Sequence, residues 1–270
     1  MSSVLNPHHA LQDLLCKGQR QEQLPSSVSR MKVAAYQAPL EAIRSLDILD
    51  LIRQQIAWCE ANEVEMLCCP EAVLGGLADY SNEPMKFAVS VENGQLNQFL
   101  APLASKSVTT IVGFTEIDRG YLFNSAAVFH QGSVVGIYRK NHPFINKSIY
   151  KAGDAPPVFT IEGLTFGILI CLDSNYEEPA RTMVAKGATT LFIPTNNALP
   201  EERGGADLVS DARKADIKLA KENNVHIVRA DVVGRSDGFV SYGASEIVGP
   251  TGIVLQAALV MTSELLVTTL

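Results

Sequence analysis

The 270-residue sequence lacks both an excess of positive charge and a long apolar run. Its 22 Lys and Arg residues stand against 29 Asp and Glu residues, for a net charge of −7. Proteins that bind nucleic acid through phosphates need clustered positive charge, so we expect no nucleic-acid partner. No apolar run reaches the roughly 20 residues of a membrane-spanning helix, so we expect no membrane association. With 47% hydrophobic and 19% charged residues, the composition is typical of a globular protein.

Cysteine is sparse and shows no pattern. The five cysteines are Cys16, Cys59, Cys68, Cys69 and Cys171. Their number is odd and no C-x-x-C pair occurs, so the sequence favours neither a disulfide framework nor a zinc site. The first residues also lack the basic and apolar segments of a secretory signal. We therefore predict a reducing, cytoplasmic location, with most thiols buried as small hydrophobic side chains.

Motifs for nucleotide, serine-hydrolase and metal chemistry are absent as well. The sequence has no G-x-G-x-x-G and no G-x-x-x-x-G-K-[ST], which weighs against a nucleotide phosphate site. It has no G-x-S-x-G, which weighs against a serine α/β-hydrolase. The five histidines show no zinc-ligand spacing. We therefore expect no metal.

Residues 1–30 differ in composition from the rest of the chain. They are rich in Gln and Ser, and we predict a poorly ordered N-terminal extension. From residue 31 onward, apolar and amphipathic segments alternate. Apolar periodicity predicts helices over 41–62, 94–106, 177–186 and 207–223. Apolar runs predict strands over 32–36, 65–70, 108–115, 121–130, 134–139, 158–162, 164–171, 190–194, 225–230, 239–248, 253–259 and 264–269.

The order of these elements indicates an α/β fold. Helices and strands alternate at both ends, whereas the middle is rich in hairpins, so we predict mixed sheets with helices outside. The pattern alone fits either a two-sheet sandwich or one wide sheet. No Pro-, Gly- or Ser-rich linker divides residues 31–270, so we predict a single domain there.

Three chemically useful side chains follow predicted strands. Glu71 comes after one strand, Lys140 after another, and Cys171 between a third strand and a helix start. In α/β sheets such strand ends border the ligand crevice. The helix start beside Cys171 is expected to lower the pKa of its thiol. Each residue alone also has an ordinary explanation, as a loop carboxylate, a surface lysine or a core cysteine.

These residues belong to a set of five sequence blocks. The blocks are 70–76 (PEAVLGG), 113–116 (GFTE) with 121–126 (YLFNSA), 135–143 (VGIYRKNHP), 152–154 (AGD) and 167–181 (GILICLDSNYEEPAR). In order and spacing they resemble the nitrilase superfamily of carbon–nitrogen hydrolases, over most of residues 31 to about 263. The resemblance implies a four-layer αββα sandwich of two mixed sheets flanked by helices. It also implies association into homodimers or larger homo-oligomers.

The resemblance further implies a catalytic set. Glu71 is expected to be the general base, Lys140 the electrostatic stabiliser and Cys171 the nucleophile, with the Leu172 N–H also facing the oxyanion. No cofactor is implied. The expected reaction hydrolyses a small amide to carboxylate and ammonia through a cysteine thioester.

The chain departs from the family pattern after the lysine. Many relatives have a second glutamate there, whereas the aliphatic-amidase position, eight beyond Lys140, is Ser148. Asn146, Ser148 or Tyr150 is expected to take the role, unless the pocket favours a different substrate or activity is lost. Glu116 is another candidate for polar support, although a surface or sheet-edge position is the favoured interpretation.

The substrate is the least constrained feature. The sequence after Cys171 is closer to that of small-amide amidases than to the C-W-E pattern of nitrilases. Asn196 and Asn197 either border the pocket or belong to a turn. The candidate substrate-binding residues are Leu172, Asn175, Asn196, Asn197 and Ser148. Arg181 is expected to form a structural ion pair. A nitrile or N-carbamoyl hydrolase and a catalytically silent binding module remain the alternatives.

Overall fold

The computed structural model describes residues 30–45, 47–143 and 148–270, so the predicted extension lies outside the described residues except for Arg30. The helices are α1 (Asp47–Ala61), α2 (Gln95–Leu100), α3 (Glu177–Ala185) and α4 (Asp207–Asn223). The strands of the first half are β1 (Lys32–Pro39), β2 (Met66–Cys68), β3 (Val89–Ser90), β4 (Thr109–Asp118), β5 (Tyr121–His130), β6 (Ser133–Arg139), β7 (Phe159–Ile161) and β8 (Leu164–Ile168). Those of the second half are β9 (Thr190–Pro194), β10 (Leu199–Pro200), β11 (His226–Ala230), β12 (Val232–Ser236), β13 (Phe239–Ser241), β14 (Glu246–Val248), β15 (Val254–Ala257) and β16 (Glu264–Thr269).

The strands form two mixed sheets. The strands of the larger sheet follow the order β10-β13-β12-β1-β2-β4-β5-β6. In addition, β16 pairs with β1, and β3 pairs with β4. The smaller runs in the order β15-β14-β11-β9-β8-β7. Parallel pairs such as β1·β2 and β8·β9 occupy the centres, whereas hairpins such as β5·β6 and β7·β8 extend the edges. Both sheets are therefore of the mixed type that the sequence predicts.

Two hydrophobic cores pack the sheets against each other and against the helices. One core joins the facing sides of both sheets and continues to α3 and α4, with Met66, Ile111, Phe166 and Leu191 fully buried. The other packs α1 and α2 on the outer face of the larger sheet. The layers are thus helix, sheet, sheet, helix, which confirms the four-layer αββα expectation. No helix among residues 30–45, 47–143 and 148–270 is long and apolar enough to cross a membrane.

The structure corrects three sequence predictions. α1 begins at Asp47 rather than at 41, where the Ser45 hydroxyl accepts the Asp47 N–H at 2.9 Å. α2 ends at Leu100, and a 3-10 turn containing Pro102 follows, because proline cannot continue the helical hydrogen bonds. The segment predicted as one strand over 239–248 is divided, with β13 in the larger sheet and β14 in the smaller.

Candidate active site

Glu71, Lys140 and Cys171 lie around one cavity of about 370 Å³. Glu71 comes three residues after β2, Lys140 directly after β6, and Cys171 three residues after β8. The two cores bring these strand ends from both sheets to the same edge of the sandwich. The structure therefore unites a carboxylate, an amine and a thiol that are far apart in sequence.

Glu71 is almost fully buried and held by three donors. Its Oε1 atom accepts hydrogen bonds from Lys140 Nζ at 2.5 Å and from Asn124 Nδ2 at 2.7 Å. Its Oε2 atom accepts the backbone N–H of Asn196 at 2.9 Å. These N–H groups compensate for the water that burial removes from the carboxylate. They also fix the direction in which the carboxylate faces.

Lys140 is equally enclosed, with 5% of its surface exposed. Burial disfavours its charge, but the carboxylate of Glu71 outweighs burial, so the pKa of Lys140 lies above its usual range. Its backbone is fixed by hydrogen bonds to Asn124 O and from Gly153 N, both 2.8 Å. A fixed, protonated amine can stabilise negative charge that develops in the cavity.

Cys171 occupies a strained turn between β8 and a 3-10 helix over Cys171–Asn175. Its φ of 47° lies in the left-handed region, which is uncommon for a residue with a side chain. The Cys171 carbonyl accepts the Ser174 hydroxyl at 2.8 Å, and Sγ lies 3.8 Å from Asn197 Oδ1. Cys171 is partly exposed, whereas the other described thiols, Cys59, Cys68 and Cys69, are buried. Cys16 lies outside the described residues.

The protonation of Cys171 differs from the sequence expectation. Burial raises the pKa of the thiol to about 12, and the Glu71 carboxylate adds to the rise, against the opposing effects of Lys140 and Arg229. The expected lowering of the thiol pKa is therefore wrong. Desolvation and a neighbouring carboxylate outweigh the potential of one short helical turn. The resting group is therefore a thiol, and any attack by Sγ would require a base.

Asp173 holds the site together but is not among the residues predicted from the sequence. Its fully buried carboxylate accepts the Ile170 N–H at 3.2 Å, the His142 N–H at 2.7 Å and the Tyr138 hydroxyl at 2.7 Å. It thereby ties the turn that carries Cys171 to the segments on either side of Lys140. An acidic residue two positions after Cys171 was a visible signal, but two of these three partners, Tyr138 and His142, lie more than 30 positions away in sequence.

Asn124 is a second missed residue. It lies in the interior of β5 with 2% exposure, borders the cavity, and holds both Glu71 through its side chain and Lys140 through its carbonyl. A carboxamide among the apolar residues of a central strand was the available signal, because buried polar groups need partners.

Two glycines allow the segments that carry Glu71 and Lys140 to approach neighbouring backbone. A Cβ atom at Gly113 in β4 would collide with the carbonyl oxygen of Pro70 and the amide nitrogen of Ala72, on either side of Glu71. A Cβ atom at Gly153 would collide with the carbonyl oxygen of Arg139, next to Lys140. At these two positions, each in one of the sequence blocks, the absence of a side chain lets two backbone segments of the site come into contact.

Four of the five predicted substrate-binding residues border the cavity, namely Leu172, Asn175, Asn196 and Asn197. Ser148 is not among the residues that line it. Its hydroxyl instead donates to the carboxylate of Asp79, at 3.0 and 3.1 Å to the two oxygens. Substrate contact by Ser148 therefore stays a prediction, and the structure places its hydroxyl on Asp79, which itself borders the cavity.

The other polar candidates have different surroundings. Tyr150 and Asp79 border the cavity, whereas Asn146 lies outside the described residues. Glu116 is 2% exposed and pairs with Arg139, so its expected surface position is wrong. Arg181 pairs with Glu177 at 2.8 Å, as expected.

Within the described ranges no group of three or more His, Cys, Asp or Glu residues is arranged to hold a metal.

Comparisons with known proteins identify the family of the chain. The family model described as carbon-nitrogen hydrolase matches residues 32–270. The chain belongs to the carbon-nitrogen hydrolase family. This membership confirms the resemblance to the nitrilase superfamily on which the sequence analysis relied.

Individual relatives are distant in sequence. The chain is 31% identical to a protein named "hydrolase in pqqF 5'region" from Pseudomonas protegens, over 84% of this chain and 78% of that protein. It is 28% identical to an (R)-stereoselective amidase from Pseudomonas sp, over 74% and 70% of the two chains. A mutant of the Nesterenkonia AN1 amidase from the nitrilase superfamily superposes with a TM-score of 0.76 at 23% identity, over 91% and 92%. The last comparison establishes the shared fold.

Proposed function

We propose that this carbon-nitrogen hydrolase is an amidase that cleaves a small non-peptide amide to a carboxylate and ammonia. One observation carries the proposal: a carboxylate, an amine and a partly exposed thiol border one cavity, with Glu71 and Lys140 in direct contact. The cavity volume of about 370 Å³ suits a small molecule. No cofactor takes part in the proposed reaction.

The first half of the reaction forms a thioester. Glu71 takes the proton of the Cys171 thiol as Sγ attacks the amide carbon. The carbonyl oxygen becomes an oxyanion, which the Lys140 ammonium and the Leu172 N–H stabilise. The C–N bond then breaks, and Glu71 returns the proton to the departing nitrogen. Ammonia leaves, and the acyl group remains on Sγ.

The second half restores the enzyme. A water molecule enters beside Glu71, which takes its proton as the oxygen attacks the thioester carbon. Lys140 stabilises the second oxyanion, the C–S bond breaks, and the thiolate recovers a proton from Glu71. Support for a nucleophilic thiol, although not for the thioester itself, comes from another protein: in a mutant of the Nesterenkonia amidase, the acetamide moiety of fluoroacetamide has added covalently to the active-site cysteine.

Hydrolysis of a nitrile or an N-carbamoyl compound is the alternative reaction at the same residues. A panel of amides, nitriles and N-carbamoyl compounds, assayed for ammonia release, distinguishes these reactions. We expect turnover of small amides. Turnover of nitriles alone would replace the amidase proposal, and no turnover of any compound would favour a silent binding module.

Replacing Cys171 by alanine tests the nucleophile. We expect Cys171→Ala to abolish ammonia release while the melting temperature stays close to that of the wild type. The matched control is Cys59→Ala, which changes a buried thiol in α1 away from the cavity and should retain activity. In the wild type, mass spectrometry of a quenched reaction should find the acyl group on the peptide that contains Cys171. Activity in the alanine variant would contradict the assignment.

The association of the domain over residues 31–270 into homodimers or larger assemblies also stays a proposal. Sedimentation velocity of the purified chain tests it. We expect a species of at least twice the monomer mass, and a monomer across the accessible concentrations would contradict it.

A further inference from the structure

The carboxamide of Asn197 stands beside the nucleophile in a fixed orientation. Asn197 follows β9 by three residues, borders the cavity, and has its Oδ1 atom 3.8 Å from Cys171 Sγ. An oxygen at this distance is within reach of an atom bonded to the carbon that Sγ attacks. Its orientation therefore decides whether the substrate meets an acceptor or a donor on this side.

Asp231 sets that orientation. Its fully buried carboxylate accepts the Asn197 backbone N–H on Oδ1 and the Asn197 side-chain NH₂ on Oδ2, both at 3.0 Å. The backbone N–H groups of Val232 and Ala244 supply two further donors at 2.8 and 3.0 Å. Four donors fill the acceptor sites of an ionised carboxylate. Since such a carboxylate can only accept, the Asn197 NH₂ must face Asp231 and Oδ1 must face the thiol.

The groups around Cys171 thus fall into donors and acceptors. In the proposed reaction Lys140 and the Leu172 N–H donate to the carbonyl oxygen, whereas Asn197 Oδ1 and the Glu71 carboxylate are acceptors. A primary amide matches this set, because its nitrogen carries two N–H bonds. The leaving oxygen of an ester and the nitrogen of a nitrile carry none.

We propose that Asn197, oriented by Asp231, accepts an N–H of the scissile amide and makes the site prefer primary amides over the corresponding esters. The inference rests on the proposed amidase function and adds a specificity-determining residue, Asn197, and a positioning residue, Asp231. A site built to bind a substrate N–H discriminates against an analogue that lacks it, because its polar group is then left without a partner.

A matched amide and ester pair tests the inference. We would measure kcat/KM for propionamide and methyl propionate with the wild type, Asn197→Leu, Asn197→Ala and Asp231→Asn. Leucine resembles asparagine in size but lacks the acceptor, and alanine provides a second variant should leucine prevent folding. Asp231→Asn keeps the Asn197 side chain but removes the carboxylate that orients it. Asn223→Leu, at the end of α4 and not among the cavity residues, is the control for the substitution itself.

The expected result is a change in the ratio of the two rates. Loss of one hydrogen bond should lower kcat/KM for the amide about tenfold in both Asn197 variants, with less than about a threefold change for the ester. Asp231→Asn should change the ratio in the same direction, and Asn223→Leu should leave it unchanged. Equal losses on amide and ester, or an unchanged ratio in folded variants, would overturn the inference.

Failure of the amidase function itself would look different. In that case the wild type would not turn over amides, whether or not it turned over another substrate. The inference would then fall together with the amidase proposal. Failure of the inference alone would leave wild-type amide turnover intact and show only in the variant ratios.

Discussion

Replacing Glu71 by glutamine separates the role of the base from the shape of the site. Glutamine keeps the size of the side chain and an oxygen that can accept from Lys140 Nζ, but it cannot take a proton from Cys171. With a thiol pKa of about 12, only about one Cys171 in 10⁵ is ionised at pH 7. Without a base, the reaction depends on that small fraction.

The size of the loss follows from two opposing effects. A positioned general base contributes about 10²- to 10⁴-fold to such a step, so we expect Glu71→Gln to lower kcat/KM for a small amide by about 10³-fold at pH 7. Removing the carboxylate also lowers the thiol pKa, because a like charge no longer opposes the thiolate. The residual rate should therefore rise about tenfold per pH unit above neutrality, while the wild-type rate changes far less.

The assay is ammonia release between pH 6.5 and 10, with circular dichroism to show that the variant is folded. Glu222→Gln, on the exposed surface of α4, is the matched control and should behave as the wild type. The reasoning would be refuted if Glu71→Gln kept more than about a tenth of the activity. A residual rate that does not depend on pH would refute it equally, since the thiolate would then not be the limiting species.

Two further variants test how the site is held in place. Asp173→Asn should lower the free energy of unfolding by about 1.5–3 kcal/mol, because the buried carboxylate loses charge-assisted hydrogen bonds to Ile170, His142 and Tyr138; chemical denaturation measures this, and an unchanged midpoint would contradict it. Gly113→Ala should reduce kcat by tenfold or more, on the order of what misplacement of a catalytic group costs, because its Cβ would displace the backbone on both sides of Glu71. Normal kcat in the folded Gly113 variant would mean that the neighbouring strand can move without moving Glu71.

Local signals account for the elements that the sequence predicts well. The predicted helix over 207–223 is observed with the same bounds, and the helix predicted over 177–186 ends one residue earlier, at Ala185. Their apolar spacing reflects one buried face against the smaller sheet. The predicted helix over 94–106 was wrong where Pro102 interrupts it. The division of 239–248 between two sheets depends on partners elsewhere in the chain, which periodicity does not reveal.

The residues of the site likewise divide into those with a local sequence signal and those without one. Strand ends and family blocks point to Glu71, Lys140 and Cys171, because each lies in a recognisable local context. The residues that position the site, in contrast, lie in no recognisable local context. Asp231 meets Asn197 across 34 positions and Asn124 meets Glu71 across 53. Such contacts arise only when distant segments come together in the folded sheets, so neither spacing nor composition contains them.

The thiol of Cys171 shows why a local rule fails at this site. A helix start favours a thiolate when its first N–H groups face the sulfur and water still solvates it. Here the helical turn has only five residues, and the same fold that brings Lys140 to the sulfur also brings Glu71 and removes solvent. These surroundings therefore favour the neutral thiol in the resting site. In the proposed reaction such a cysteine depends on its base, so we expect the geometry of Glu71, rather than the acidity of the thiol, to set the rate of attack.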